Sequence, residues 1–348
     1  MRQTLLITGL VVLTTSVLVA QEQERRPMTT DDGLNMVSVS GAQMSPDGEW
    51  VFYSRSELDW KENKRKSTYH MIPASGGEAF QYIGEDGGSA FQFSPDGRYL
   101  SFRRSVDSKQ QLFLMRTSGG EAVQVTKHKT SVSSYKWAND SRRIFFVADE
   151  PKSEEEEKRH KAGYDAIIVD EGPNGQQAAS WNNLWVFEIE GDEKDPSKIT
   201  DEEFRIGSFD VSPDVSRIVF TARYENRRNQ QYLSEIYLFT MADSAMVRLT
   251  DNQAPESGVQ WSPDGAHFAY RAVSNGEWEQ RQNKIWVMNA DTRNTRMVSG
   301  QFVGNISQSV WTSEGDAILF TGRQRTNSNL FRLNVSTGEV KQLTEVVG

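Results

Sequence analysis

The sequence predicts an all-β fold of six four-stranded blades, a β-propeller, and three observations point to it. A Ser-Pro-Asp-Gly turn, or a close variant of it, recurs six times, each time ahead of an alternating strand. A second strand–turn–strand pattern follows each turn and usually ends in Leu-Thr or a relative of it. The units repeat at a spacing of about fifty residues, except between the third and the fourth.

The first halves of the units are MSPDGEWVFYSRS from Met44, FSPDGRYLSFRRS from Phe93, WANDSRRIFFVAD from Trp137, VSPDVSRIVFTAR from Val211, WSPDGAHFAYRAV from Trp261 and WTSEGDAILFTGR from Trp311. Their turn chemistry is explicit. Pro46, Pro95, Pro213 and Pro263 preset φ near about −65° for a type I turn. Asp47, Asp96, Asp214 and Asp264 follow, with side chains short enough to bond local backbone N–H groups. Gly48, Gly97 and Gly265 then take the positive φ that closes the turn into a hairpin, while Val215 stands where glycine is expected. Beyond each turn the residues alternate, as in Arg98-Tyr99-Leu100-Ser101-Phe102, the period of a half-buried strand.

The second halves, such as QLFLMRTSGGEAVQVT and NLFRLNVSTGEVKQLT, each supply an apolar strand, a Gly/Asp/Asn turn and a short strand. Two hairpins make four strands per unit. One such sheet cannot bury both faces, whereas radial stacking on its neighbours does so. A sandwich would not repeat one turn at this interval, and solenoid units are shorter. The units run from about Val37 to Thr344, as a complete six-bladed ring or as part of a seven- or eight-bladed one.

The N-terminus reads as an export signal over residues 1–20: Arg2, an apolar run from Leu5 to Ala20, then a polar switch at Gln21. Residues 21–36 form an N-terminal segment and 37–348 the propeller. No later apolar stretch is long enough to span a bilayer, so an exported, periplasmic or secreted protein is expected. The chain has no cysteine, which excludes disulfides, thiolate metal sites and a thiol nucleophile. A net charge of −9 makes nucleic acid an unfavourable partner. Seventeen phenylalanines and nine tryptophans argue against disorder over most of the chain.

No catalytic, cofactor or metal site is expected. His70, His128, His160 and His267 lack metal-ligand spacing and read as ordinary residues. The four turn aspartates occupy equivalent places in separate blades, so they repeat for structural reasons. Trp137, Trp261 and Trp311 recur at one position and read as packing between blades, whereas Trp60, Trp181 and Trp278 lie off that register as surface candidates. The charged run Glu154 to Lys161, inside an insertion at 151–181, reads as a solvated helix or loop with Glu-to-Lys or Glu-to-Arg pairs one turn apart.

The turns with their aromatic strands resemble the TolB-type propeller repeat. Met44 to Val51, Glu57 to Lys64, the Gly76-Gly77-Glu78 turn and the insertion with Tyr164 to Asp170 resemble more narrowly the propeller of the prolyl oligopeptidase family of serine peptidases, in its acylaminoacyl-peptidase and dipeptidyl-peptidase branch. That resemblance implies a propeller that admits short peptides to, and docks, an α/β-hydrolase domain carrying a Ser-Asp-His triad. No Gly-x-Ser-x-Gly elbow occurs in this chain, so no catalytic residue carries over. The expectation is a non-catalytic peptidase propeller partnered by a hydrolase domain. The alternative is a free-standing TolB-like interaction scaffold in the periplasm.

Overall fold

The computed structural model describes residues 26–84, 87–163, 180–191, 195–225, 232–252, 254–273 and 282–346. Six four-stranded antiparallel sheets follow one another along the chain, at 38–83, 89–124, 132–198, 205–248, 257–297 and 305–342, with strands paired in chain order inside each. The protein is a six-bladed β-propeller, and the blades are numbered here from the N-terminus. The segment expected to direct export and the Tyr164 to Asp170 stretch of the insertion lie outside the described residues. Of the insertion, Glu154–Lys161 is a helix; Ser153 and Glu156 bond reciprocally at its start, and Lys161 pairs with Glu157 at 3.5 Å.

The first strand of each blade is the innermost. From blade 1 to blade 5, one position in it meets the first strand of the next blade. Gln43 Nε2 donates to the Phe91 carbonyl at 2.6 Å, Gln92 Nε2 to that of Tyr135 at 3.1 Å, and Lys136 Nζ to Asp210 at 2.7 Å. Asp210 in turn accepts the Trp261 N–H at 2.8 Å, and Trp311 Nε1 donates to the Gln260 carbonyl at 3.2 Å. Each sheet also slips register near the start of its first strand, as between Ser40 and Gln43 or between Ser257 and Gln260, the mark of a β-bulge.

Five apolar clusters hold the blades together, each spanning two consecutive blades. Phe52, Tyr69 and Met71 of blade 1 face Phe91, Leu100, Phe102, Phe113 and Met115 of blade 2. Each fully buried Leu, Ile or Phe contributes about 1.5–3 kcal/mol, so the contacts between blades dominate the stability of the stack. Trp261 and Trp311 sit in the 4–5 and 5–6 clusters, and Trp137 packs on the 2–3 cluster while donating to Ser101 Oγ at 2.7 Å.

Among the described residues no such cluster joins blade 6 to blade 1. The outward face of blade 1 carries Met44, Val51, Tyr53, His70 and Ile72 at the positions of Phe93, Leu100, Phe102, Phe113 and Met115, yet Met44 is 61% exposed and the others are half-buried. On blade 6, Leu330 is 37% exposed where its blade-5 counterpart Ile285 is 0% exposed. Val310 and Leu343 are likewise open to solvent.

The Leu-Thr ends have a common structural task. The hydroxyl of Thr126, Thr200, Thr250, Ser299 or Thr344 accepts the N–H of Leu112, Leu184, Ile236, Ile285 or Leu330 at 2.8–3.0 Å, closing the outer strand onto the third.

Candidate functional site

The first strands all run the same way along the propeller axis, so the molecule has two chemically distinct faces. The Ser-Pro-Asp-Gly turns gather on the face where first strands end. There Asp47 accepts from Ser45 Oγ and from the Glu49 N–H at 3.0 Å, and Ser45 Oγ accepts the Trp50 N–H at 2.9 Å. Asp96, Asp214 and Asp264 repeat this with Ser94, Ser212 and Ser262. Hydrogen bonds from Ser212 and Ser216 hold the Asp214 carboxyl at about 2. Gly48, Gly97 and Gly265 have φ of +74°, +72° and +68°, and Val215 adopts +61° in the same place. Successive turns pack on each other: Pro46 lies beside Gly97 and Pro213 beside Gly265. Pro95 and Pro263 hold the same second place in their turns, and Pro263 lies beside Gly315. The four aspartates thus serve four separate turns and form no common centre.

Between blades 5 and 6 that face holds a cavity of about 530 Å³, lined among others by Asp264, His267, Asn289, Arg296, Trp311 and Asp316. The described histidines lie apart. His70 stacks on Tyr53, His267 stands 3.4 Å from Asn289, and His128 meets the Trp185 ring edge-on, with burial pushing its imidazole down toward the neutral form. Nothing is described of the His160 side chain. Trp60 is exposed and donates to Asn35, tying the N-terminal helix Thr30–Asn35 to blade 1; Trp181 is half-buried, and Trp278 lies outside the described residues.

The opposite face, where first strands begin, is rich in arginine. The register sets Arg103 across from Ser89, Arg223 from Arg205, Arg271 from Ser257 and Arg323 from Asn305. In blade 1 the matching places hold Ser54 and Ser56, and Arg55 lies between them, across from Val39. Two of these cations have carboxylate partners: Arg205 binds Asp149 at 3.1 Å and Arg55 binds Glu57 at 2.9 Å. Arg103 is held by the carbonyls of Val132 and Ser133. Arg223 and Arg271 have no carboxylate partner among the described residues, and burial lowers the pKa of both, for Arg223 with Arg205 adding to the effect. Among the described residues, the buried Nε atoms of Arg103 and Arg223 have no hydrogen-bond partner. The recurrence was visible in sequence, as SRS, FRR, TAR, YRA and TGR at the ends of the repeat segments, but it passes there for the polar side of a strand.

Beside this face, blade 4 buries two carboxyl groups. Glu235 is 2% exposed, accepts the Asn252 N–H at 2.9 Å and pairs with Arg248 at 3.2 Å. Glu256 accepts from Asn252 Nδ2 at 2.5 Å and from Thr250 at 3.2 Å, and burial, with the nearby Glu235 charge, pushes it up to about 8. A cavity of about 330 Å³ adjoins Glu256, Tyr270 and Trp286.

Residues 178–347 match the family described as TolB beta propeller domain, PD40. In sequence the chain is similar to an uncharacterized peptidase, YuxL, of Bacillus subtilis, 25% identical over 225 residues that make up 62% of this chain and 34% of that protein. It is also similar to dipeptidyl-peptidase 5 of Porphyromonas gingivalis, 20% identical over 342 residues, 91% of this chain and 49% of that protein. In structure it is similar to the acylaminoacyl peptidase of Pyrococcus horikoshii, with a TM-score of 0.66 at 19% identity, covering 90% of this chain and 47% of that one. The chain therefore spans half or less of the length of these peptidases. It is a six-bladed β-propeller whose residues 178–347 match the TolB-type model and whose sequence is similar to that of peptidases about twice its length or more.

Proposed function

We propose that this chain is the non-catalytic propeller of an exported serine peptidase of the prolyl oligopeptidase family, docking an α/β-hydrolase domain and limiting which peptides reach it. The observation that carries this reading is the similarity of 91% of the chain to about half of a dipeptidyl-peptidase. The chemistry of the chain agrees: it contains no Gly-x-Ser-x-Gly elbow, and its histidines at 70, 128 and 267 stand in different blades. A second reading, a TolB-like scaffold that binds a protein partner in the periplasm, draws on the family match over 178–347.

The test is to prepare the chain from Gln21 onward and treat it with a fluorophosphonate serine probe beside aminoacyl- and dipeptidyl-nitroanilides. The expected result is no labelling and no turnover until a hydrolase domain encoded with this propeller is added, whereupon peptides turn over and long chains are refused. Labelling of any serine in the propeller alone would overturn the reading. A hydrolase domain whose size selection ignores the propeller would leave the scaffold reading in its place.

A further inference from the structure

We propose that the face where the first strands begin binds acidic peptide segments, through the guanidinium groups of Arg223 and Arg271. Three independent features of the site support this. Arg205 and Arg223 are direct cross-strand partners, and like charges so opposed destabilise a sheet unless an anion lies between or beside them. Asp149 satisfies Arg205 and leaves Arg223 without a carboxylate partner among the described residues, its buried Nε likewise unpartnered among them. In the next blade, the Arg271 guanidinium lies on the backbone of Gly258, where a Cβ would stand 2.4 Å from Nη2. Gly258 sits in the bulge of its strand with φ +61°, so the inner strand is shaped to let that guanidinium lie flat against it.

Several of the nearby acids are committed elsewhere. Glu57 pairs with Arg55, Glu150 with Lys198 and Glu235 with Arg248, while burial keeps Glu256 protonated at neutral pH. A half-buried guanidinium without a counter-ion is costly, and a carboxylate presented in the plane of its fork recovers that cost through paired charge-assisted bonds. The overall charge of −9 opposes non-specific binding of acidic ligands, so a preference for them has to come from local cations such as these. The proposal concerns the chain's own surface and holds with or without a hydrolase partner.

The experiment is fluorescence anisotropy with rhodamine-labelled hexaglutamate and hexaglutamine on the intact chain. Hexaglutamate is expected to bind at least about tenfold more tightly at low salt, and the difference to shrink as ionic strength rises. The double variant Arg223→Gln/Arg271→Gln is expected to lose that preference, while Arg142→Gln, on the turn face, keeps it. Equal binding of the two peptides by the unaltered chain overturns the proposal without recourse to any variant. So does a preference for hexaglutamate that survives the double substitution in protein with an unchanged circular dichroism spectrum.

Discussion

At position 256 a carboxyl group lies 3% exposed beside a second carboxylate, and the two cannot both be charged cheaply. The native state holds the Glu256 proton up to about pH 8, whereas an unfolded chain releases it near the ordinary value of 4.5. Between those limits the folded form binds more protons than the unfolded one. Stability from this group is therefore complete at the acid end and falls as pH rises, by up to about 1.4 kcal/mol per pH unit. Glu256→Gln keeps an acceptor for Asn252 and Thr250 and cannot ionise. Urea titrations at pH 5, 6.5 and 8 should show the unaltered protein weakening across the series and the variant holding a flatter course. An equal slope in both would mean that Glu256 is ionised throughout. Val215 shows another single-residue balance: a β-branched side chain at φ +61° is strained, but it is 6% exposed within the cluster joining blades 3 and 4.

For the strands, the sequence was most legible where local chemistry decides the structure. The Ser-Pro-Asp-Gly turns, their variants and the alternation behind them place the first two strands of the blades, because proline fixes φ and glycine permits the positive φ that the turn needs. The Leu-Thr ends were visible as a motif, yet their task was not, since it depends on a hydroxyl meeting a strand fourteen or sixteen residues earlier. Thr126 is fully buried, accepts the Leu112 N–H at 2.9 Å and donates to Gln111 at 2.9 Å. Thr126→Val preserves shape but strands a buried N–H, at a cost of about 1–3 kcal/mol. A shift in the denaturation midpoint of that size checks it, and Thr344→Val, made at an exposed clamp, should cost less. The arginine face was hidden for a related reason. Arg223 and Arg271 look like solvated strand residues until the register sets one against Arg205 and the other over Gly258.

For the molecule as a whole, the repeat count was readable and the contact between its first and last members was not, because periodicity says nothing about the curvature of a stack. The consequence is measurable at paired positions. Ile285 is fully buried between blades 5 and 6, and its truncation to alanine should cost about 2–4 kcal/mol. Leu330 holds the same place on blade 6 at 37% exposure, and Leu330→Ala should cost about 1 kcal/mol or less. Similar costs at both positions would mean that blade 6 is covered in solution. A propeller closed on itself gives every blade two neighbours and comes apart as one cooperative unit. Here, among the described residues, apolar clusters join blades 2 to 5 on both sides and blades 1 and 6 on one side only, so this stack should behave as a short one-dimensional array with free ends. Fraying should then begin at both termini, with backbone amides of blades 1 and 6 exchanging with solvent well before those of blades 3 and 4.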